Sequence, residues 1–443
     1  MGEFEDPFGD ENDSEEEIIE TNEEGMDIDD EEEEEEPKHE TYLPGKEMGE
    51  NEVLVVDNSA YEMLYTMNVE WPCLSFDFLN DNLGVNRVSF PMTAYLVSGS
   101  QAEEQKNNKL YVLKMSQMNR TKYDDDFEDD NSDDGLDDDP ILESRSIPHQ
   151  GGINRVRVMP HPESHIVATW AETGQVNIFD VTTAVKSFDV PGVTVNTKTI
   201  KPIYTVKSHG RAEGFALDWS KAETGRLLSG DINKHIYLTN PTESSFKTDI
   251  QPFTGHQSSV EDIQWSPKEK CVFASCSADQ TIKIWDTRAG KRHQLSVRAH
   301  ESDVNVIHWN QITDFLMASG ADDGVFKIWD LRQNFGSNNT TAVASFKWHT
   351  APITSIEFHP QDSSMLAVSG ADEQLTLWDL SVERDVEEEK NIGSDVQDLP
   401  PQLMFIHQGQ NDIKELHWHK QLPGVIGSTA SNGMNIFKTI NSQ

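Results

Sequence analysis

Between residues 256 and 379, apolar and polar side chains alternate in short runs broken by turn residues. Val-Glu-Asp-Ile-Gln-Trp265, Cys-Val-Phe-Ala-Ser275 and Thr-Ile-Lys-Ile-Trp285 have the period of two expected of strands that bury one face, and the turns between them are short. The same order of strand, turn, strand, turn, strand returns after His300 and again after His349. The pattern therefore predicts an all-β chain built from a repeated unit.

The repeat keeps a fixed internal ruler. His256 to Trp285, His300 to Trp329 and His349 to Trp378 are each separated by 29 residues, and each Trp is followed by Asp. Weaker copies place Phe179, Thr239 and Phe437 at 30 residues after His149, His209 and His407. Residues 71–118 add strand-like runs without the His or Trp signals, which brings the count to seven units. These residues resemble WD repeats, and the resemblance implies a seven-bladed β-propeller. It also implies a hydrogen-bonded network in each blade: His256, Ser275, Asp279 and Trp285; His300, Ser319, Asp323 and Trp329; and His349, Asp372 and Trp378. In the third, Val368 stands where a hydroxyl is needed, so that network is expected to be incomplete; in the unit after His209, Asn233 stands where the turn Asp should be. An open ring would leave bare sheet edges, so a strand near Leu74 to Phe78 is expected to pair into the last blade.

Charge changes the picture. The formal net charge is −44. Residues 1–40 contribute −21 and residues 124–139 contribute −11, leaving −12 for all the rest. With so few apolar side chains, neither run can offset its ordering entropy, and both are expected to lack a fixed fold. A milder acidic stretch runs from Glu383 to Asp398. The expected organisation is an acidic tail at 1–50, a helix within 51–70, and a propeller over 71–443 with acidic insertions at 119–143 and 383–400. An acid run alone can serve as a solubilising tail; two runs flanking one domain point to a polyanion that holds a basic protein. Asp124, Asp125, Asp126, Asp129 and Asp130 are the expected contacts. Asp130 to Gly135 resembles the start of a calcium loop, but Ile141 occupies the position that requires a bidentate Glu.

Other classes are excluded or disfavoured. The charge opposes nucleic-acid binding through a net basic surface, and no run of 18 apolar residues exists to cross a membrane. Cys73, Cys271 and Cys276 give neither a disulfide framework nor a metal spacing, and with an acidic N-terminus they suggest a soluble, reduced, intracellular chain. No phosphate loop or zinc motif is present, so no cofactor or metal is expected. The His–Ser–Asp set recurs at the blade period, as a structural network should and a hydrolase site should not. The expectation is a binding scaffold and not an enzyme.

Upstream of Trp71-Pro72, Tyr61, Leu64 and Tyr65 are spaced as one face of a helix over 58–70. Downstream, the acidic stretch ends in Pro400-Pro-Gln-Leu-Met-Phe-Ile-His407. The combination resembles the histone-binding WD-repeat group of chromatin assembly and retinoblastoma binding, and within it an acidic, glutamate-rich branch. The resemblance implies a groove between that helix and the loop in the last blade, with Tyr61, Leu64, Tyr65, Asp395 and Asp398 as client contacts. It further implies a nuclear and nucleolar factor that captures a newly made large-subunit ribosomal protein and also binds histones. A rival reading rests on Trp285-Asp-Thr-Arg288 and Trp329-Asp-Leu-Arg332, which match a motif of substrate receptors that bind a cullin-ligase adaptor. Ser14, Thr21 and Thr121, each with an acid three residues on, are expected phosphorylation sites.

Overall fold

The computed structural model describes residues 55–121, 139–383 and 399–441, except residues 163, 334 and 338. Over these residues the chain forms seven four-stranded antiparallel sheets, the blades of a β-propeller. Blade one contains β2 (Cys73–Leu79) as its innermost strand and ends at β5 (Ile141–Pro148). The next five blades follow in strict sequence order, each with its innermost strand first.

The alternation seen in the sequence becomes burial. In blade four, Phe273 and Trp285 lie opposite each other on adjacent strands and stack at 5.7 Å. Trp170, Trp219, Trp285, Trp378 and Trp418 are all fully buried and pack within and between blades. The one α-helix among the described residues, α1 (Thr182–Asp189), lies between the third and fourth strands of blade two and buries Ala184 and Val185.

Ring closure departs from expectation. The segment read as a helix contains a strand, β1 (Tyr61–Met67), which pairs antiparallel with β28 (Gly433–Thr439), so the seventh blade has the order β1, β28, β27 (Val425–Ala430), β26 (Glu415–Trp418). β2, expected to close the ring, is instead the inner strand of blade one. The reason is visible in the residues: Tyr61, Met63, Tyr65 and Met67 fall on alternate positions, and Tyr61, Met63 and Met67 are buried. A helix here would leave the β28 edge unpaired, whereas the strand satisfies it.

The acidic insertions also find their places. In sequence, the first acid run falls between β4 (Lys109–Met118) and β5, neighbouring strands of blade one, and all of it but Asp139 lies outside the described residues. The second lies between β24 (Leu375–Asp379) and β25 (Leu403–His407), which are the third and fourth strands of blade six, not of the last blade.

Candidate functional site

The blade networks form from strand register. In blade four the Asp279 carboxylate can only accept, so at 2.9 Å His256 Nδ1 carries the hydrogen. His256 Nε2 is thereby left to accept from the Ser275 hydroxyl at 2.7 Å, and Ser275 Oγ accepts from Trp285 Nε1 at 2.8 Å. Burial lowers the His256 pKa and keeps the ring neutral. Burial would raise the Asp279 pKa, but the bonds from His256, the Thr281 hydroxyl and Gln257 N–H together outweigh it and the carboxyl is held low.

Two blades solve the problem differently from the sequence expectation. Val368 lies opposite Thr376 in the ladder, and the Thr376 hydroxyl replaces the missing one, 3.0 Å from His349 Nε2 and 2.8 Å from Trp378 Nε1. That network is complete, with Asp372 at 2.9 Å from His349 Nδ1. In blade three, Asp231 takes the place of Asn233 and lies 2.7 Å from His209 Nδ1. Blade five is the incomplete one. His300 bonds Ser319 at 2.7 Å and Trp329 bonds Ser319 at 2.9 Å, but Asp323 accepts from its own turn, at Val325 N–H, and His300 Nδ1 has no hydrogen-bond partner among the described residues. Burial, then the charge of Lys327, lowers the His300 pKa to about 4. The network histidines His209, His256, His300 and His349 are all buried.

A second set of contacts links the inner strands around the central channel. Asp77 accepts from Val158 N–H at 2.8 Å, Asp218 from Trp265 N–H at 2.7 Å, Gln264 from Trp309 N–H at 2.9 Å and His308 from Phe358 N–H at 3.1 Å. Trp219 Nε1 donates to Arg157 O, Trp418 Nε1 donates to Glu357 O, and Glu415 accepts from Phe76 N–H, so every blade interface is bridged. Glu415 also binds Arg155 at 2.6 Å and Arg157 at 2.8 Å. Burial would raise its pKa, but the two guanidiniums hold it well below the ordinary range. His417 Nδ1 lies 2.6 Å from Glu357 and its Nε2 lies 3.7 Å from Glu415. This paired set is structural.

The end of the channel where the inner strands begin carries acids outside the ion pairs, with the charge of Arg155 reaching Glu261. Glu261, Asp303 and Asp322 make no ion pair with any described residue. Burial raises the Glu261 pKa, and burial together with the charge of Asp322 raises that of Asp303. Nothing in the repeat pattern marked these residues, since none of them is a His, Ser, Asp or Trp position of the blade network. Their proximity is a product of the ring.

The residues proposed from sequence as a client groove are not brought together as one surface. Tyr61 is buried, with its hydroxyl 2.7 Å from His407 Nδ1 and its ring edge-on to Phe405 and Phe437. Leu64 packs on the same cluster, whereas Tyr65 packs on the cluster shared with blade one and donates to Asn119 O at 2.9 Å. A helical face would have put all three side by side; in the strand, a register shift between Tyr61 and Met63 turns Tyr61 to the side of Leu64, while Tyr65 faces the other way. Thr121 is half-buried, its hydroxyl accepting from Leu64 N–H at 2.8 Å and its N–H donating to Glu62 O at 3.1 Å. Asp124, Asp125, Asp126, Asp129, Asp130, Asp395, Asp398, Ser14 and Thr21 lie outside the described residues. Among the described residues no group of acids, histidines or cysteines is arranged to hold a metal, and no helix is long and apolar enough to cross a membrane.

Fold and networks together define a WD-repeat β-propeller. WD-domain repeats match residues 247–286, 291–330 and 340–379, and residues 51–119 match the signature shared by the histone-binding protein RBBP4 and its counterpart in the CAF1 complex. The solved WD40 propeller domain of Doa1 superposes with a TM-score of 0.55 over 86% of this chain and 97% of its own, at 15% identity. The chain belongs to the family of ribosome assembly protein rrb1 and glutamate-rich WD repeat-containing protein 1. It is 50% identical to the former from Schizosaccharomyces pombe, covering 99% of this chain and 93% of that one. It is 47% identical to the latter from Dictyostelium discoideum, over 89% and 83%. A third relative, "Protein HEAT STRESS TOLERANT DWD 1" of Arabidopsis thaliana, is 46% identical over 91% and 92%.

Proposed function

We propose that this protein is a non-enzymatic chaperone of ribosome biogenesis that holds a strongly basic client until delivery. The client is a newly made large-subunit ribosomal protein, the third in the usual naming, and core histones are a second class of basic protein it can take. It works in the nucleolus. The observation that carries the reading is the distribution of acid: a net charge of −44, most of it in residues 1–40 and 124–139, with Glu261, Asp303 and Asp322, none in an ion pair with a described residue, at one end of the propeller channel. A polyanion attracts a cationic client and keeps it from RNA, while a rigid face discriminates among cations. Kinship with a ribosome assembly protein and the histone-binding signature support the same reading.

The deciding experiment is mass spectrometry of proteins that co-purify after nuclease treatment, followed by binding of the purified ribosomal protein. Stoichiometric ribosomal protein supports the proposal. A cullin-ligase adaptor in its place supports the rival. That rival draws on Arg288 and Arg332, which are solvent-exposed although each is paired with its own Asp, Asp286 and Asp330.

A further inference from the structure

Tyr61 lies in the core, and an open apolar cavity lies elsewhere on the propeller. At the rim between blades four and five, a cavity of about 410 Å³ is lined by Ile284, Leu295, Trp309, Phe315, Leu331 and Phe335. Leu295 stands on the outermost strand of blade four, His293–Arg298, and is 41% exposed. Gly336 packs directly over it from the loop that follows Asp330.

The charges at the cavity are uneven. Arg332 is held by Asp330 at 2.7 Å and lies over the Phe315 ring, so its charge is already matched. Asp314 shares Lys268 at 3.3 Å. Glu269 is exposed and has no ion pair with any described residue. The lining thus offers an apolar well with one carboxylate at its edge, Glu269, that no described ion pair holds, although the charge of Arg288 reaches it. Its size suits one or two large apolar side chains.

We propose that this cavity is the specificity pocket for the basic client: it takes a large apolar side chain of that client, with a Lys or Arg beside it meeting Glu269. The inference deepens the proposed function and rests on it. Long-range capture by acid runs tells one cationic protein from another poorly, whereas a shaped apolar well rejects a client that lacks the anchor.

The test measures binding of the purified large-subunit ribosomal protein to the full-length chain and to two surface variants, Leu295→Glu and Glu269→Lys. Thermal unfolding of each variant checks that it is folded. Leu295→Glu is expected to weaken binding at least tenfold through a faster off-rate, with the salt dependence unchanged. Glu269→Lys is expected to weaken it several-fold. If the unaltered protein does not bind the ribosomal protein, the proposed function fails and this pocket assignment with it. If the unaltered protein binds and Glu269→Lys and every folded Leu295 variant bind equally well, the pocket assignment alone is overturned. Loss of a cullin-ligase adaptor from Leu295→Glu with retention of the ribosomal protein would overturn it too, assigning the cavity to that partner.

Discussion

The Tyr61 hydroxyl lies 2.7 Å from His407 Nδ1, joining the first strand of the fold to the outer strand of blade six, 346 residues further on. His407 stacks on Phe437 at 4.2 Å, and its other ring nitrogen is 3.2 Å from the Asn435 amide. The strand that closes the ring therefore also completes the polar network at its seam. Tyr61→Phe should keep the packing and orphan a buried nitrogen, costing about 1–3 kcal/mol. Tyr61→Ala removes a core aromatic and should cost about 3–5 kcal/mol. Urea unfolding of both variants checks the order; equal, negligible losses would mean the seam contributes nothing.

The blade networks predict a contrast among aspartates of identical sequence role. Asp279 bonds His256 and Gln257 N–H, whereas Asp323 does not touch His300. Asp279→Ala should cost about 1–3 kcal/mol, and Asp323→Ala less than about 1 kcal/mol. In blade six, Thr376→Val should cost as much as Asp279→Ala, because His349 and Trp378 both lose a partner. Comparable midpoints for Asp279→Ala and Asp323→Ala in chemical unfolding would refute the distinction.

Burial alone would lower the His417 pKa, but Glu357 and Glu415 outweigh it and hold it up at about 9. An unfolded histidine titrates near about 6.5. Because the folded value is raised, the stabilisation is complete below about pH 6.5 and fades as pH rises through about 9. The stability difference between the native protein and His417→Gln should shrink by roughly 2–3 kcal/mol across that window. A difference that stays level from pH 6 to 9.5 would show that His417 is not charged in the fold.

Residues 1–40 carry −21 of the total charge. Their deletion should slow client association and flatten its dependence on salt, while leaving discrimination among basic proteins intact. Stopped-flow rates across a salt series make the measurement. If specificity vanished with the tail, capture and recognition would not be separate.

Thr121, three residues before Asp124 in sequence, is tied to β1 through Leu64 N–H and Glu62 O. Phosphorylation there, and at Ser14 and Thr21, would add about 1.5–2 negative charges per site. Phosphopeptide mapping of protein from its own cells should find these sites occupied; all three unmodified would remove the expectation.

How much of this could be read in the residues depends on where register enters. The spacing of His256 to Trp285 is local to one blade, so the blades with that ruler were legible, and their number followed from weaker copies. Tyr61, Leu64 and Tyr65 satisfied a helical spacing while Tyr61, Met63, Tyr65 and Met67 satisfied a strand spacing; only a partner edge at β28 decides between them. Thr376 stands in for Val368, and Asp231 for Asn233, because cross-strand pairing and turn shape place a polar atom where linear alignment has none. The unpaired acids Glu261, Asp303 and Asp322 and the cavity at Leu295 depend on neighbouring blades, so no single repeat announces them.

The pairing of β1 with β28 also sets an order of events in time. Tyr61 leaves the ribosome long before its ladder partner Thr439 does. Until then β1 has no sheet to join, and blade seven, begun at Glu415, has no outer strand. The ring is therefore a check on synthesis as far as β28: a chain ending before Gly433 would keep most of its blades yet expose two unpaired edges, the kind of surface that aggregates and attracts degradation. For a protein proposed to guard other newly made chains, the closing of its own ring is signalled by a single strand pair.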